Sequence, residues 1–326
     1  MPAAAEYLRP ELIAQVRRLD LRARFIVEGF YSGLHRSPFH GFSVEFSEHR
    51  RYVPGDDPRG IDWNLYARTD RYFVKQYQAE TSLEAHLVLD VSASMGFPAA
   101  GDRAPARSRR DEGGPHPALS MSAADTRLPQ RMSKHEYVVC LAAALGYMMI
   151  RQQDAVGLAL VGETLRAGLP ARSRRAHLMQ VLSTLAATQP AGPTGLAAGL
   201  RDLARRIRRR GLIIVFSDLL CEPAPVLEAL RMLRLWGHDL IVFCVLDEAE
   251  VSFPFHGPTR FEDPEGGVLE ADADGLREAY AAALRDLLDR YRRGLAEVRA
   301  DFVRVHTAMP FDAALTRFLI ERRGRM

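Results

Sequence analysis

The sequence predicts an α/β protein: a mostly parallel sheet with one antiparallel edge strand, helices on both faces, and a small amino-terminal α+β region. Three observations carry this reading. From residue 84 onward, short apolar runs alternate with stretches of helical spacing, the pattern of parallel strands joined by crossover helices. Two of those runs, 155–161 and 164–169, are separated only by Gly162 and Glu163. A connection that short makes a hairpin, so one strand must run against its neighbour. The first run, LVLDVSASMG at 87–96, is aliphatic until it breaks into Asp90, Ser92 and Ser94. A buried strand that ends in a carboxylate and two hydroxyls presents polar groups where α/β sheets gather ligands.

Taken in order, residues 1–83 form a region apart. Leu12, Val16, Leu19 and Phe25 or Ile26 recur at helical spacing within 8–33. The stretch FHGFSVEFSEHRRYVPGDDPRGIDWNLYARTDRYFVKQYQAE then alternates around a turn-rich centre, which predicts small strands and a structured loop. In the second region, 84–326, strands are expected at 86–91, 155–161, 164–169, 211–218, 238–246 and 302–306. Helices are expected at 133–152, 176–187, 196–209, 223–236, 276–298 and 313–322. Residues 98–131 are rich in Pro, Ala, Gly, Ser and Arg with almost no apolar spacing, and are expected to be a mobile insertion.

Composition narrows the function. The 44 basic and 41 acidic residues of this 326-residue chain nearly cancel, which gives no reason to expect nucleic acid or an anionic membrane. The basic run 201–211 reads as a solvated helix face near a carboxyl end. Three cysteines lie far apart with no CxxC pair, so neither a disulfide framework nor a zinc site is indicated. The start MPAAAEYLRPEL lacks the pattern of a secretory signal, and the longest apolar run, 138–150, is short of the ~20 residues that span a bilayer. The expectation is a soluble cytoplasmic protein.

Two further polar residues fall at places equivalent to the strand end at Asp90. Asp218 ends GLIIVFSD, and Thr194 sits in PAGPTG before a helix. Asp90, Ser92, Ser94, Thr194 and Asp218 are all hard oxygen donors without His or Cys, a set suited to Mg²⁺, Mn²⁺ or Ca²⁺ and poor for zinc. Asp-x-Ser-x-Ser followed by a loop Thr and a strand-end Asp resembles the metal-ion-dependent adhesion site (MIDAS) of von Willebrand factor A domains. RRYVPGDDPRGIDWNLYAR, KQYQAE, DVSASM, Lys134 and HTAMPFDAALTRFLIERR resemble the bacterial family called domain of unknown function 58. The resemblance implies a von Willebrand factor A-like fold, a metal site at those five residues, no catalytic residues, and partnership with a MoxR-type AAA+ ATPase or its client. It implies a non-enzymatic, metal-dependent protein-interaction module that takes an acidic residue of its partner.

Alternatives stand beside this. Serines at a strand end also cap turns. Asp56, Asp57, Arg59, Asp62 and Trp63 read as a structural loop, because Pro54, Gly55 and Pro58 are turn residues, or as catalytic groups. Asp56, Asp57 or Glu80 is also a candidate to plug the site from within the chain. The competing function is a divalent-metal-dependent hydrolase or phosphatase using the same oxygens. Against it, the second Asp of a haloacid-dehalogenase-type site is here Ser92, and neither GxSxG nor a P-loop occurs.

Overall fold

The computed structural model describes residues 17–24, 26–27, 49–51, 63–75, 84–98 and 132–316. By contact the chain divides into Ser32–Ser82 and a larger unit holding the rest. Helix α1 (17–24) groups with the larger unit, where Leu19, Ala23, Ile26 and Val27 are buried. Within the smaller unit, β1 (His49–Arg51) pairs antiparallel with β2 (Phe73–Lys75), and α2 (Trp63–Thr69) lies between them in sequence.

The larger unit is built on a six-stranded sheet. Its strands are β3 (Glu84–Asp90), β4 (Ala155–Val161), β5 (Leu165–Arg172), β6 (Leu212–Ser217), β7 (Asp239–Leu246) and, last in the chain, β10 (Asp301–His306). Their order across the sheet is β10-β7-β6-β3-β4-β5, all parallel except β4 against β5. The Gly162–Glu163 hairpin is therefore where the sequence placed it. Strands β3, β4, β6 and β7 are buried almost throughout, which explains their continuous apolar runs. Edge strand β5 alternates half-buried and exposed residues, as a strand covered on one face should.

Helices cover both faces. On one, α5 (Leu196–Arg206), α6 (Pro223–Leu235) and α8 (Ala273–Val298) bring Leu200, Leu230 and Leu295 against Val88, Val215 and Val242. On the other, α3 (Lys134–Arg151) and α4 (Arg175–Ala187) close over Leu87 and Val156, close enough that a Cβ added at Gly146 would be in ordinary contact with Leu87, Leu178 and Val156. A capping box starts α3, with Ser133 Oγ accepting from Glu136 N and Glu136 Oε2 accepting from Ser133 N. The amide of Lys134 donates to Phe97 O at 3.0 Å, tying the start of α3 to the residue just after the 3-10 turn Ala93–Gly96.

Between β7 and α8 the sequence suggested no element, and three are found. Helix α7 (Glu248–Ser252) is followed by the two-stranded hairpin β8 (Pro258–Glu262) and β9 (Val268–Asp272). Helix α9 occupies 311–316, and the remainder of the expected 313–322 helix lies outside the described residues, as do residues 99–131 of the insertion. No helix among the described residues is long and apolar enough to cross a membrane.

Candidate functional site

Strand β3 continues to β4 on one side of the sheet and is paired with β6 on the other. The chain thus reverses direction across the sheet between β3 and β6, and the crevice beyond their carboxyl ends is the natural ligand position. Asp90 is the last residue of β3, and Ser217 is the last of β6.

Asp90 is almost wholly buried and is the hub of a hydroxyl cluster. Its Oδ1 accepts from the Ser92 amide at 2.9 Å and from Ser92 Oγ at 2.6 Å. Its Oδ2 accepts from Ser217 Oγ at 2.7 Å and, more weakly, from Thr194 Oγ1 at 3.4 Å. Ser94 Oγ lies 3.1 Å from Ser92 Oγ. Burial first, and the neighbouring Asp218 second, push the Asp90 carboxyl above the ordinary range, against hydrogen bonds from Ser92 and Ser217 that favour the anion. The structure brings Asp90, Ser92, Ser94 and Thr194 together as the sequence suggested, and adds Ser217, which had read as an ordinary strand residue.

Thr194 reaches Asp90 across 104 residues because its loop is fastened to the end of β3. Ala93 N donates to Gly192 O at 2.8 Å, and Ala191 N donates to Val91 O at 3.0 Å. Gly192 adopts a φ of 69°, a conformation that L side chains rarely take. Arg166 of β5 donates to Ala191 O. Gly195 packs so closely on the β4–β5 turn that a Cβ there would lie 1.9 Å from Glu163 O.

Asp218 stands next to Ser217, yet its oxygens are engaged elsewhere. Oδ2 accepts from Lys134 Nζ at 2.7 Å, and Oδ1 accepts from Leu220 N at 3.3 Å. The same ammonium donates to Glu250 Oε1 at 2.6 Å. Lys134 is fully buried at the first position of α3, where the helix dipole disfavours a cation. Burial lowers its pKa, but attraction to Asp218 and Glu250 outweighs burial and leaves it raised. Glu250 Oε2 meanwhile accepts from the Asp247 amide at 2.7 Å, closing the capping box of α7. The ammonium therefore ties three elements together at the sheet edge. The backbone after β6 turns sharply, with Leu219 buried at a φ of 56°. Lys134 was noticed in the sequence without a role, and Glu250 gave no signal because no helix was expected there.

Asp56, Asp57, Arg59, Asp62 and Glu80 lie outside the described residues, and Trp63 is 59% exposed at the start of α2. Among the described residues no group of three or more His, Cys, Asp or Glu is arranged to hold a metal ion. The cluster around Asp90 is of another kind, one carboxylate with four hydroxyls. The three cysteines are free thiols.

Residues 48–105 and 118–289 match the family described as "Protein of unknown function DUF58", and the chain belongs to it. Uncharacterized proteins of Mycobacterium tuberculosis and Mycobacterium bovis are each 29% identical over 96% of this chain and 90% of their own length. An uncharacterized protein of Mycobacterium avium is 32% identical over 48% of this chain and 94% of its own. Among solved structures, the conserved hypothetical protein BatB from Bacteroides thetaiotaomicron shares 17% identity at a TM-score of 0.41, covering 74% of this chain and 99% of that one. The PilB minor pilin from Streptococcus sanguinis shares 10% identity at a TM-score of 0.41, covering 77% of this chain and 64% of that one.

Proposed function

We propose that this member of the DUF58 family is a non-enzymatic, metal-dependent protein-interaction module with a von Willebrand factor A-like site. In this reading it is cytoplasmic and serves as adaptor or partner of a MoxR-type AAA+ ATPase. The observation that carries the proposal is the convergence of Asp90, Ser92, Ser94 and Thr194 at the β3/β6 switch point.

The donor chemistry fits a hard divalent cation. Every side chain at the cluster offers oxygen, which suits Mg²⁺, with Mn²⁺ and Ca²⁺ as alternatives. Around it, the ammonium of Lys134 faces the carboxylates of Asp218 and Glu250, and Asp90 adds another. The formal excess is two negative charges, the charge one such ion would neutralise. Asp90, Ser92, Ser94 and Thr194 would hold the ion, and Asp218, occupied by Lys134, would act through its charge. When bound, the ion would supply a point to which an Asp or Glu of the partner attaches. The chain's own residues do the rest. The Ser92 amide and Ser217 hydroxyl orient Asp90, and the fastened loop holds the Thr194 hydroxyl beside it.

The test is metal-dependent stability. Mg²⁺ should raise the melting temperature, by the equivalent of about 2.7 kcal/mol at a concentration 100 times its Kd. Asp90→Ala should abolish the response, and chelation should release the ATPase from the wild type. An equal Mg²⁺ response in both proteins refutes the site. Turnover of phosphate esters with Mg²⁺ or Mn²⁺, lost in Asp90→Ala, would favour the hydrolase instead.

A further inference from the structure

The loop that carries Thr194 has a second visitor. Glu265, at the tip of the β8–β9 hairpin, accepts a hydrogen bond from the Thr194 amide through Oε2 at 3.0 Å. Thr194 is the residue whose hydroxyl reaches Asp90, so a carboxylate from 71 residues away is seated on the residue that completes the cluster.

The tip is shaped to present that side chain. Glu265 N donates to Asp263 Oδ1 at 2.8 Å, Gly266 N donates to Asp263 O at 3.0 Å, and Asp263 N donates to Gly267 O at 3.0 Å. Gly266 and Gly267 have φ values of 118° and 138°, which only glycine adopts readily. Rings and a guanidinium hold the hairpin and the segment that precedes it. Phe261 packs on Phe253 and Phe255, Tyr280 packs on Phe253, and Arg277 donates to the carbonyls of Phe253 and Phe255. The two strands pair with each other, and Val268 and Leu269, the first residues of β9 after the tip, are more than half exposed. Neither strand contains a buried residue, and a hairpin of that kind opens locally at low cost.

Charge makes the placement informative. Asp90, Asp218 and Glu265 all act on the Cys221 thiol and push its pKa up, after burial and against a hydrogen bond with Tyr291. Glu265 thus brings a further carboxylate to a neighbourhood that already has two negative charges in excess. Like charges repel, and a cation bound at the cluster would offset that repulsion.

We propose that Glu265 is the resident acidic ligand of this site: in the free protein the hairpin tip holds the place beside Thr194 that a partner's Asp or Glu takes in the complex. The inference rests on the metal reading above. Docking then requires the β8–β9 tip to leave Thr194.

The experiment uses the full chain with Mn²⁺ as the probe and acetate as a small carboxylate. Wild type, Glu265→Gln, Glu265→Asp and Asp90→Ala are compared by Mn²⁺ titration and by water-proton relaxation of the bound ion, with circular dichroism as a check on folding. Glu265→Gln should bind Mn²⁺ about tenfold more weakly. It should show higher relaxivity than wild type because more water reaches the ion, and acetate should lower that relaxivity. Wild type should respond little to acetate, and Glu265→Asp should fall between the two. Mn²⁺ binding with Glu265→Gln indistinguishable from wild type in affinity, relaxivity and acetate response overturns this inference alone. Absence of Mn²⁺ binding by wild type, or equal binding by Asp90→Ala, overturns the metal reading and this inference with it.

Discussion

Replacing Lys134 with methionine tests the ion network beneath the site. Methionine keeps most of the apolar stem but removes the ammonium, leaving buried Asp218 and half-buried Glu250 without their shared cation. Breaking a buried pair by deleting one partner costs about 3–5 kcal/mol, because the charge left behind is uncompensated. Two carboxylates are stranded here, one buried and one half-buried, so a loss within that range is expected. For a domain of this size the loss corresponds to a fall in melting temperature of roughly 6–20 °C. Urea unfolding should show a lower midpoint with an unchanged slope. The triple variant Lys134→Met, Asp218→Asn, Glu250→Gln removes the charges together and should recover part of the loss, because neutral amides are cheaper to bury than carboxylates. Mg²⁺ should stabilise the single variant more than it stabilises wild type, since more negative charge is left near the ion. A loss below about 1 kcal/mol, the value of an exposed pair, would refute the assignment of a buried, structurally committed cation.

Two other outcomes are expected. Gly195→Ala should cost about 1–3 kcal/mol, because its Cβ would collide with the fixed backbone carbonyl of Glu163; it should also weaken the Mg²⁺ response by moving Thr194, and an unchanged melting curve and response would show that the loop is not held there. His86 is buried in β3 with a pKa lowered to about 4, by burial first and His238 second. Its contribution to stability is therefore complete above pH 6.5 and is lost as the pH falls from 6.5 through about 4, amounting to about 3 kcal/mol at most. His86→Leu should flatten that limb of the stability profile, and parallel profiles for the two proteins would contradict it.

What could be read from the sequence follows from how strongly burial writes on it. Strands β4, β6 and β7 are enclosed on both faces, so they appear as unbroken aliphatic runs. The antiparallel edge was legible because Gly162–Glu163 leaves no room for a crossover. Asp90, Ser92 and Ser94 stood out as polar residues breaking an apolar strand. Ser217 did not, because one serine near a strand end is unremarkable until Asp90 is seen opposite it. Lys134 was illegible in kind: a lysine at the start of a helix normally points to water, and only tertiary partners 84 and 116 residues away reverse that preference. The region from Glu248 to Asp272 was missed because its strands are short and largely exposed and mix Pro and charges with apolar residues, so their alternation is weak. With it went Glu250 and Glu265, the two acidic residues that reach the site from the far side.

The hydrogen bond from Lys134 N to Phe97 O has a practical consequence. It pins together the points where the chain leaves the sheet edge and returns to it, so the closure is made by residues that flank the intervening segment. The entropy of spanning a gap grows only logarithmically with length, at about 0.6 kcal/mol for each doubling. A change in the length of 99–131 should therefore be nearly free in stability, provided that Phe97 and Lys134 are left in place. The position is a grafting port: a fluorescent protein or an affinity module spliced between residues 99 and 131 would report on the neighbouring cluster while leaving both chain ends unmodified.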